Sequence, residues 1–201
     1  MKLIAISQRI EKSKYNEIRP QLDIRLFDFI IKCGFYPVPI PYFLNPNKKS
    51  ISNLNKWLKI IKPDGLILSG GEDLGKNRLR DKSEYFLFNY FKKNNLPIIG
   101  ICRGMQLIAS IYGSKLKKVE NHVNKKTRIS FGNKFQKVKC YHNYSITKCP
   151  SEFKIISKSK DNQIESINSK NNKILGLMWH PERDKIFSKF NISIFKKFLN
   201  K

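Results

Sequence analysis

The chain has 201 residues, of which 40% are hydrophobic, and this composition predicts one globular domain over residues 1–201. Its apolar runs, such as Leu96–Ile101, are strand-sized and too short to cross a bilayer, so no membrane partner is expected. Lys2–Ile6 lacks the apolar length and the cleavage site of a secretory signal, which predicts a cytoplasmic protein.

The formal net charge of +25 has three interpretations. A basic surface favours nucleic-acid binding, or it attracts a small anionic substrate, or it reflects a chain rich in Lys, Asn and Ile throughout. Because the lysines are scattered and no nucleic-acid-binding motif accompanies them, the compositional interpretation is favoured. Nucleic acid is not expected as a partner, and an anionic substrate stays open.

Four cysteines, at positions 33, 102, 140 and 149, form no C-x-x-C pair and no closely spaced Cys/His cluster. Nothing suggests an oxidising compartment, so reduced thiols are expected. Cys33 lies on an apolar helix face, and Cys140 and Cys149 have no motif around them, so all three are interpreted as ordinary packing residues.

The first half of the chain alternates strand and helix patterns. Strands are predicted at Leu3–Ser7, Tyr36–Ile40, Gly65–Ser69 and Pro97–Ile101, and helices at Pro20–Cys33, Ser52–Ile61, Ser83–Asn94 and Arg103–Tyr112. Such alternation predicts a mostly parallel sheet that helices cover on both faces.

The second half is rich in strand-forming residues. Strands are predicted at Lys137–Ile146, Phe153–Ser159, Gln163–Ser169 and Lys173–Trp179, before a last helix at Ile192–Leu199. We therefore expect an α/β fold with a β-rich excursion in its second half.

The sharpest motif is Gly100-Ile-Cys-Arg-Gly104, which follows an apolar strand and precedes a helical pattern. It matches the G-x-nucleophile-x-G elbow, with Cys102 in the place of the nucleophile. A cysteine at a helix N-terminus is stabilised as a thiolate by the helix dipole and by free N–H groups. Cys102 is therefore predicted to be a catalytic nucleophile.

His180 is the predicted base, because it ends the apolar run Ile174–Trp179 and would project from the end of a strand. Glu182 lies two residues further on and could hold the other ring nitrogen, completing a triad. For the oxyanion, the N–H of Arg103 and the paired glycines Gly70 and Gly71 are the predicted donors.

Three segments together resemble those of class I glutamine amidotransferases. They are Asp64–Gly71, Gly100–Gln106 and Gly176–Glu182, and they occur in the family's order. Further matches indicate the γ-glutamyl hydrolase branch: Glu72-Asp73 after the glycines, Arg80-Asp81-x-x-Glu84, and Arg103 after the nucleophile.

The resemblance implies a Cys102–His180–Glu182 triad, a glutamyl-thioester intermediate, and no metal or organic cofactor. It also implies that the γ-glutamyl group is bound near Gly70, Gln106, Tyr141 and His142. His122, in a polar stretch, is interpreted as an ordinary loop residue.

Two departures from the family concern the leaving group. The loop Asp73–Leu79 is short and basic, and Met178 precedes Trp179 where the family often has Gln. With Lys76, Arg78 and Arg80 expected at the pocket rim, a phosphorylated, nucleotide-linked γ-glutamyl amide is the favoured substrate.

Three alternatives stay open at this point. They are a glutaminase subunit that supplies ammonia to a synthetase, a hydrolase for γ-aminobutyrate-type amides, and a nucleic-acid-binding module that retains an inactive fold. A homodimer is a further alternative that the sequence leaves open.

Overall fold

A computed structural model describes residues 2–42, 48–132, 134–170 and 173–200. The strands are β1 (Leu3–Ile6), β2 (Arg9–Lys12), β3 (Ile18–Gln21), β4 (Tyr36–Pro39), β5 (Gly65–Leu68), β6 (Ile98–Ile101), β7 (Leu116–Lys118), β8 (Val123–Phe131), β9 (Lys134–Tyr141), β10 (Tyr144–Ile146), β11 (Phe153–Lys158), β12 (Ile164–Ser169) and β13 (Ile174–Leu177). The helices are α1 (Ile24–Lys32), α2 (Lys48–Ile61), α3 (Arg78–Lys93), α4 (Arg103–Ile111) and α5 (Lys189–Leu199).

Among the described residues, the main sheet has seven strands in the order β11-β12-β13-β6-β5-β1-β4. The run from β13 to β4 is parallel, and β11 and β12 add an antiparallel edge. The ribbons β2–β3, β7–β10 and β8–β9 lie outside this sheet. The predicted fold class, mostly parallel with a β-rich second half, is confirmed.

Helices cover both faces of the sheet. Because successive side chains along a strand point to opposite faces, one strand packs against helices on both sides. Ile4 and Ile6 of β1 pack in one apolar cluster with α1 and α5, whereas Ala5 packs in a second cluster with α2, α3 and α4. The central strands β5, β6 and β13 are therefore buried on both sides, as their continuous apolar runs indicate.

The β2–β3 ribbon differs from the prediction, which placed a helix over Pro20–Cys33. Pro20 lies instead in β3, paired with Ile10, and α1 begins only after Asp23. The Asp23 side chain accepts a hydrogen bond from the Arg25 N–H at 2.9 Å and so caps the helix. The ribbon carries charged and exposed residues without apolar alternation, so it had no strand pattern to detect.

Other boundaries also differ: α2 begins at Lys48 rather than at Ser52, and α5 at Lys189 rather than at Ile192. Helix α3 begins at Arg78 rather than at Ser83, because the Asn77 side chain caps it by accepting from the Arg80 N–H at 3.1 Å. The segment predicted as one strand over Lys137–Ile146 is divided between β9 and β10, and the largely charged strand β8, which pairs with β9, was not predicted.

The parallel strands β5, β6 and β13 are neighbours, and their carboxyl ends meet at one edge of the sheet. Gly70, Cys102 and His180 follow these ends, so the topology brings together the segments predicted to form the site. No helix in the described part of the chain is long and apolar enough to span a membrane. The single-domain organisation over residues 1–201 stays a prediction.

Candidate active site

Cys102 occupies a sharp turn between strand β6 and helix α4. Its backbone has φ +50° and ψ −103°, a sparsely populated conformation for a residue with a side chain. The Cys102 N–H donates to the Leu177 carbonyl at 2.7 Å, which extends the β6–β13 pairing into the turn. An added Cβ at Gly104 would overlap the Leu68 carbonyl oxygen, so α4 can lie this close to β5 only with glycine there.

His180 lies just past β13 and is held on three sides. Its Nδ1 lies 2.6 Å from Glu182 Oε1, and its backbone N–H donates to the Lys139 carbonyl at 3.2 Å. The ring packs directly on Gly70, where a Cβ would overlap Cε1. The short 3₁₀ turn Pro181–Arg183 bends Glu182 back toward the ring, as the two-residue spacing predicted.

The charged form of His180 is favoured. Burial of the imidazole opposes a positive charge, but the attraction of Glu182 and of the Cys102 sulfur outweighs it and raises the pKa to about 9. The pKa of Glu182 is lowered, because His180 more than offsets the burial of its carboxylate. At neutral pH the pair is therefore an imidazolium and a carboxylate.

The predicted oxyanion donors lie on either side of the turn that contains Cys102. Arg103 is the first residue of α4, so its N–H has no partner within the helix. Gly71 follows β5, and an added Cβ there would overlap the Arg80 guanidinium. Both peptides lie at the sheet edge that carries Cys102, and their role as donors stays a prediction.

A buried ion-pair cluster formed by Arg80, Glu84 and Arg103 lies beneath both of these peptides. Glu84 is fully buried; its Oε1 accepts from Arg80 Nε at 2.8 Å and from the Ser7 hydroxyl at 2.7 Å. Its Oε2 pairs with the Arg103 guanidinium. Burial opposes ionisation of Glu84, but the two arginines outweigh it and lower its pKa.

The cluster reaches the loop after β5 through Arg80. One guanidinium nitrogen donates to the Ser69 carbonyl at 2.8 Å and to the Gly70 carbonyl at 3.0 Å, and another pairs with Glu72 at 2.8 Å. The prediction that placed Arg80 at the pocket rim is wrong, because the side chain is fully buried among these partners. Burial opposes its charge, but the attraction of Glu84 outweighs it and keeps the pKa of Arg80 raised.

The residues predicted to bind glutamate lie close to the triad, and most of them make hydrogen bonds or ring contacts with other residues of the protein. Gln106, in the first turn of α4, donates from Nε2 to the Tyr144 carbonyl at 2.9 Å. His142 is buried and its Nδ1 also faces that carbonyl, at 3.1 Å. The Tyr141 ring lies edge-on to the His180 ring with centroids 5.8 Å apart. Direct contacts of these residues with substrate stay predictions.

A cavity of about 390 Å³ is lined by residues that neighbour the triad, although none of the three triad residues lines it, and the sequence did not reveal it. Its lining includes Arg9, Arg25, Arg183 and Tyr141. The Arg183 guanidinium stacks over the Tyr141 ring at 4.3 Å from the centroid. Arg183 lies next to Glu182 in the chain, and this was the only feature of the sequence that could have indicated the cavity. Arg9 and Arg25 belong to the β2–β3 ribbon and to α1, which are distant in sequence.

The basic residues expected around the substrate do not line this cavity. Lys76 pairs with Asp73 at 3.1 Å in the loop before α3, and Arg80 is buried beneath that loop. His122 also differs from its prediction: it is buried rather than an ordinary loop residue, with Nε2 2.9 Å from the Asp161 carboxylate.

A cysteine in a strained strand–helix turn, with a carboxylate-held histidine beside it at the edge of a parallel sheet, is typical of enzymes that transfer acyl groups. Residues 31–201 match the model of the glutamine amidotransferase class-I family, and the chain belongs to that family, as its motifs predicted. It is therefore an amide-bond hydrolase of the glutamine-amidotransferase type.

Relatives of two kinds are found. The chain is 31% identical over 207 residues to the γ-glutamyl-CDP-amidate hydrolase of Campylobacter jejuni, covering 98% of this chain and 97% of that protein. It is 30% identical over 196 residues to the GMP synthase of Lactobacillus gasseri, covering 92% of this chain but only 34% of that protein. A solved structure from Thermoplasma acidophilum, described as one subunit of a GMP synthase, has the same fold, with a TM-score of 0.69, 24% identity, and coverage of 100% of this chain and 94% of that one.

Replacing the buried carboxylate tests the cluster. Glu84→Gln leaves two buried guanidinium groups without their shared counter-charge, and we expect a loss of about 3–5 kcal/mol in the free energy of unfolding. Because the peptides at Gly71 and Arg103 then lose a common anchor, kcat for amide hydrolysis should also fall about 10²-fold in the protein that remains folded. Urea unfolding and steady-state kinetics measure the two effects. The exposed Glu152→Gln is the matched control, and equal values for both variants would contradict this role of Glu84.

The His180–Glu182 pair predicts a pH effect. Because the folded-state pKa of about 9 exceeds the ordinary 6.5, the charged ring stabilises the fold fully below pH 6.5 and loses this effect as the pH rises through 9. In Glu182→Gln the main attraction is lost and burial remains, so the His180 NMR titration midpoint should move well below 9. Asp184→Asn, two residues further on, should leave the midpoint unchanged. An unchanged midpoint in Glu182→Gln would refute the pairing.

Proposed function

We propose that the protein hydrolyses a γ-glutamyl amide whose leaving group is an anionic, nucleotide-linked amine, with γ-glutamyl-CDP-amidate as the substrate that fits best. The products would be glutamate and CDP-amidate. The observation that carries this proposal is the arginine-lined cavity beside the Cys102–His180–Glu182 arrangement. Water and this one small molecule are the reactants, and neither nucleic acid nor membrane takes part.

The acyl half of the reaction uses the elbow. The Cys102 sulfur attacks the γ-carbonyl carbon, and the oxyanion that forms accepts hydrogen bonds from the Arg103 and Gly71 N–H groups. The His180 imidazolium, whose Nδ1 is held by Glu182, donates its Nε2 proton to the departing nitrogen. The C–N bond breaks, the amine leaves, and the glutamyl group remains as a thioester on Cys102.

The second half returns the enzyme to its starting state. His180, now neutral, takes a proton from a water molecule whose oxygen attacks the thioester carbonyl. The C–S bond breaks, glutamate departs with the oxygen of water, and the Cys102 sulfur again faces a charged imidazole. One water is consumed for each amide bond that is cleaved.

The cavity suits an anionic leaving group for reasons of charge and shape. Arg9, Arg25 and Arg183 line it together with one carboxylate, Asp23, so the local potential is positive. Guanidinium groups bind phosphate oxygens in a bidentate way, and an aromatic ring can stack a base. Tyr141 could do so if the Arg183 guanidinium that lies over its ring moved onto the phosphate.

The cavity is also in the right place. Arg9 lies over the oxyanion loop, since an added Cβ at Gly71 would be 3.1 Å from its Cγ. On the other side Tyr141 lies against the His180 ring. A substrate with its carbonyl at Cys102 would therefore extend its leaving group between these walls.

The relative in Campylobacter jejuni supports this choice, because its name states the same substrate and it matches this chain over nearly its whole length. Capsular polysaccharide modification is the process in which we propose this step. The chain matches only about a third of the length of the GMP synthase of Lactobacillus gasseri. A second candidate is therefore a glutaminase that supplies ammonia to a separate synthetase.

Substrate preference separates the two candidates. The isolated chain should release glutamate from γ-glutamyl-CDP-amidate with kcat/KM at least about 10²-fold above that for glutamine or γ-glutamyl-γ-aminobutyrate, because only the first fills the arginine cavity. Cys102→Ala should abolish release, whereas Cys149→Ser, a half-buried cysteine outside the site, should not. Equal turnover of glutamine, above all if a synthetase partner stimulates it, would instead support the glutaminase.

The cavity itself is tested with Arg9. Arg9→Ala removes one guanidinium from the lining, and loss of a charge-assisted hydrogen bond of about 1.5–3 kcal/mol should raise KM for the anionic substrate about 10- to 100-fold. Hydrolysis of an uncharged γ-glutamyl alkylamide should change little. Lys12→Ala, on the same strand but outside the cavity, is the control. An equal loss on charged and uncharged substrates would contradict the assignment of this cavity to the leaving group.

A further inference from the structure

Four buried side chains with metal-binding atoms converge outside the catalytic triad. They are His122, Cys140, His142 and Glu165, and one ligand atom from each lies within 4.8 Å of every other. His122 precedes β8, Cys140 lies on β9, His142 follows β9, and Glu165 lies on β12. The ligand atoms therefore come from the β8–β9 ribbon and from an antiparallel strand of the main sheet.

The hydrogen bonds of the two imidazoles show which nitrogens face the centre. His122 Nε2 lies 2.9 Å from an Asp161 carboxylate oxygen, and His142 Nδ1 lies 3.1 Å from the Tyr144 carbonyl oxygen. Both of these partners are acceptors, so each ring carries a proton on its outer nitrogen. In the neutral rings the inner nitrogens, His122 Nδ1 and His142 Nε2, then present lone pairs.

These lone pairs point at a third acceptor. Glu165 Oε1 lies 3.3 Å from His122 Nδ1 and 3.5 Å from His142 Nε2. Within the described ranges, none of these three buried atoms has a hydrogen-bond partner. With both rings neutral, three acceptors would face one another in the interior, which is costly unless a metal ion or additional ring protons lie between them.

The nitrogen–oxygen separations match those of a tetrahedral metal site. With Zn–N and Zn–O bonds of about 2.0–2.1 Å, the edge of a tetrahedron between N and O is ~3.3 Å. The two N–O separations, both to Glu165 Oε1, are 3.3 and 3.5 Å. Cys140 Sγ lies 3.6 Å from the other carboxylate oxygen, Oε2, and the four ligand atoms lie within 4.8 Å of one another, so they would have to draw together around a bound ion.

We propose that His122 Nδ1, Cys140 Sγ, His142 Nε2 and the Glu165 carboxylate bind one divalent transition-metal ion, with zinc as the best fit to this mixed N, S, O set. The Cys140 thiol loses its proton to solvent when the sulfur–metal bond forms. Asp161 and the Tyr144 carbonyl hold the outer ring nitrogens, as acceptors around metal-bound histidines do.

Four protein ligands close the coordination sphere, so the ion would have a structural role. It would join the β8–β9 ribbon to β12. Residues next to Cys140 in the chain contact the active site: the Lys139 carbonyl accepts from the His180 N–H, and Tyr141 lies against the His180 ring. This inference does not depend on the leaving group. It departs from the absence of metal that the family resemblance implied. Cys140 and His142 are two residues apart, but His122 and Glu165 lie far from them in the chain, so the sequence showed only half of the set.

A proton is the competing occupant, since two protonated imidazoles around Glu165 would also balance the charges. The test uses the full chain carrying Cys102→Ser, which removes the other reactive sulfur. The protein is stripped with a chelator, incubated with Zn²⁺ or Co²⁺, desalted, and analysed by elemental mass spectrometry and visible absorption. We expect about one ion per chain, with the cobalt form showing tetrahedral bands and a thiolate charge-transfer band.

Added substitutions identify the ligands. Cys140→Ala and His142→Gln should each lower zinc occupancy at least about 10-fold, and Cys140→Ala should remove the charge-transfer band, whereas Cys149→Ser should change neither. A folded Cys102→Ser protein that binds no ion, or unchanged binding in Cys140→Ala, would overturn the proposal. If the ligand variants fail to fold, X-ray absorption of the zinc-loaded Cys102→Ser protein decides: one sulfur with nitrogen and oxygen neighbours supports the site, and a shell without sulfur refutes it.

Discussion

The fully buried carboxylate of Glu84 is the constraint on which the site depends. It pairs with Arg103, the residue after the nucleophile, and with Arg80, which binds the carbonyls of the loop that ends in Gly71. The two peptides proposed to stabilise the oxyanion are thus anchored to one buried charge. An ion pair of this kind adds little net stability compared with apolar packing, so we infer that its role here is to fix the arrangement of these peptides. That is the property a preorganised site requires.

The parallel sheet and the peripheral ribbons contribute different parts of the chemistry. Strands β5, β6 and β13 lead into the segments proposed to supply the oxyanion donors, the nucleophile and the base, so the proposed acyl side is built on fully buried elements. The cavity proposed for the leaving group is built from the β2–β3 ribbon, the start of α1 and the end of β9, and the ribbon is more exposed. This division allows relatives to share the cleavage reaction while their leaving groups differ, because the peripheral elements can change without moving the triad.

The sequence predicted best what is local in the chain. Cys102 with its two glycines, and His180 with Glu182, are short motifs whose positions after strand ends could be predicted from the strand and helix pattern, while their catalytic roles stay predictions. The alternation of elements predicted the sheet. It failed where distant residues meet. An arginine such as Arg80 is expected at the surface, and only the folded structure shows that it is buried beside Glu84 and Arg103. The arginines that line the cavity come from segments that share no motif. Likewise, the β2–β3 ribbon consists of short charged strands whose pairing no periodicity indicates.

The central claim is that the glutamyl group is carried on Cys102 during cleavage. The most direct test is rapid acid quenching of the enzyme during turnover of γ-glutamyl-CDP-amidate, followed by mass spectrometry of the intact chain and its peptides. We expect a fraction of the chains to gain the mass of one glutamyl group on the peptide that contains Cys102, and the adduct should disappear on treatment with hydroxylamine. Turnover with no adduct in the pre-steady state, or an adduct on another residue, would contradict the mechanism.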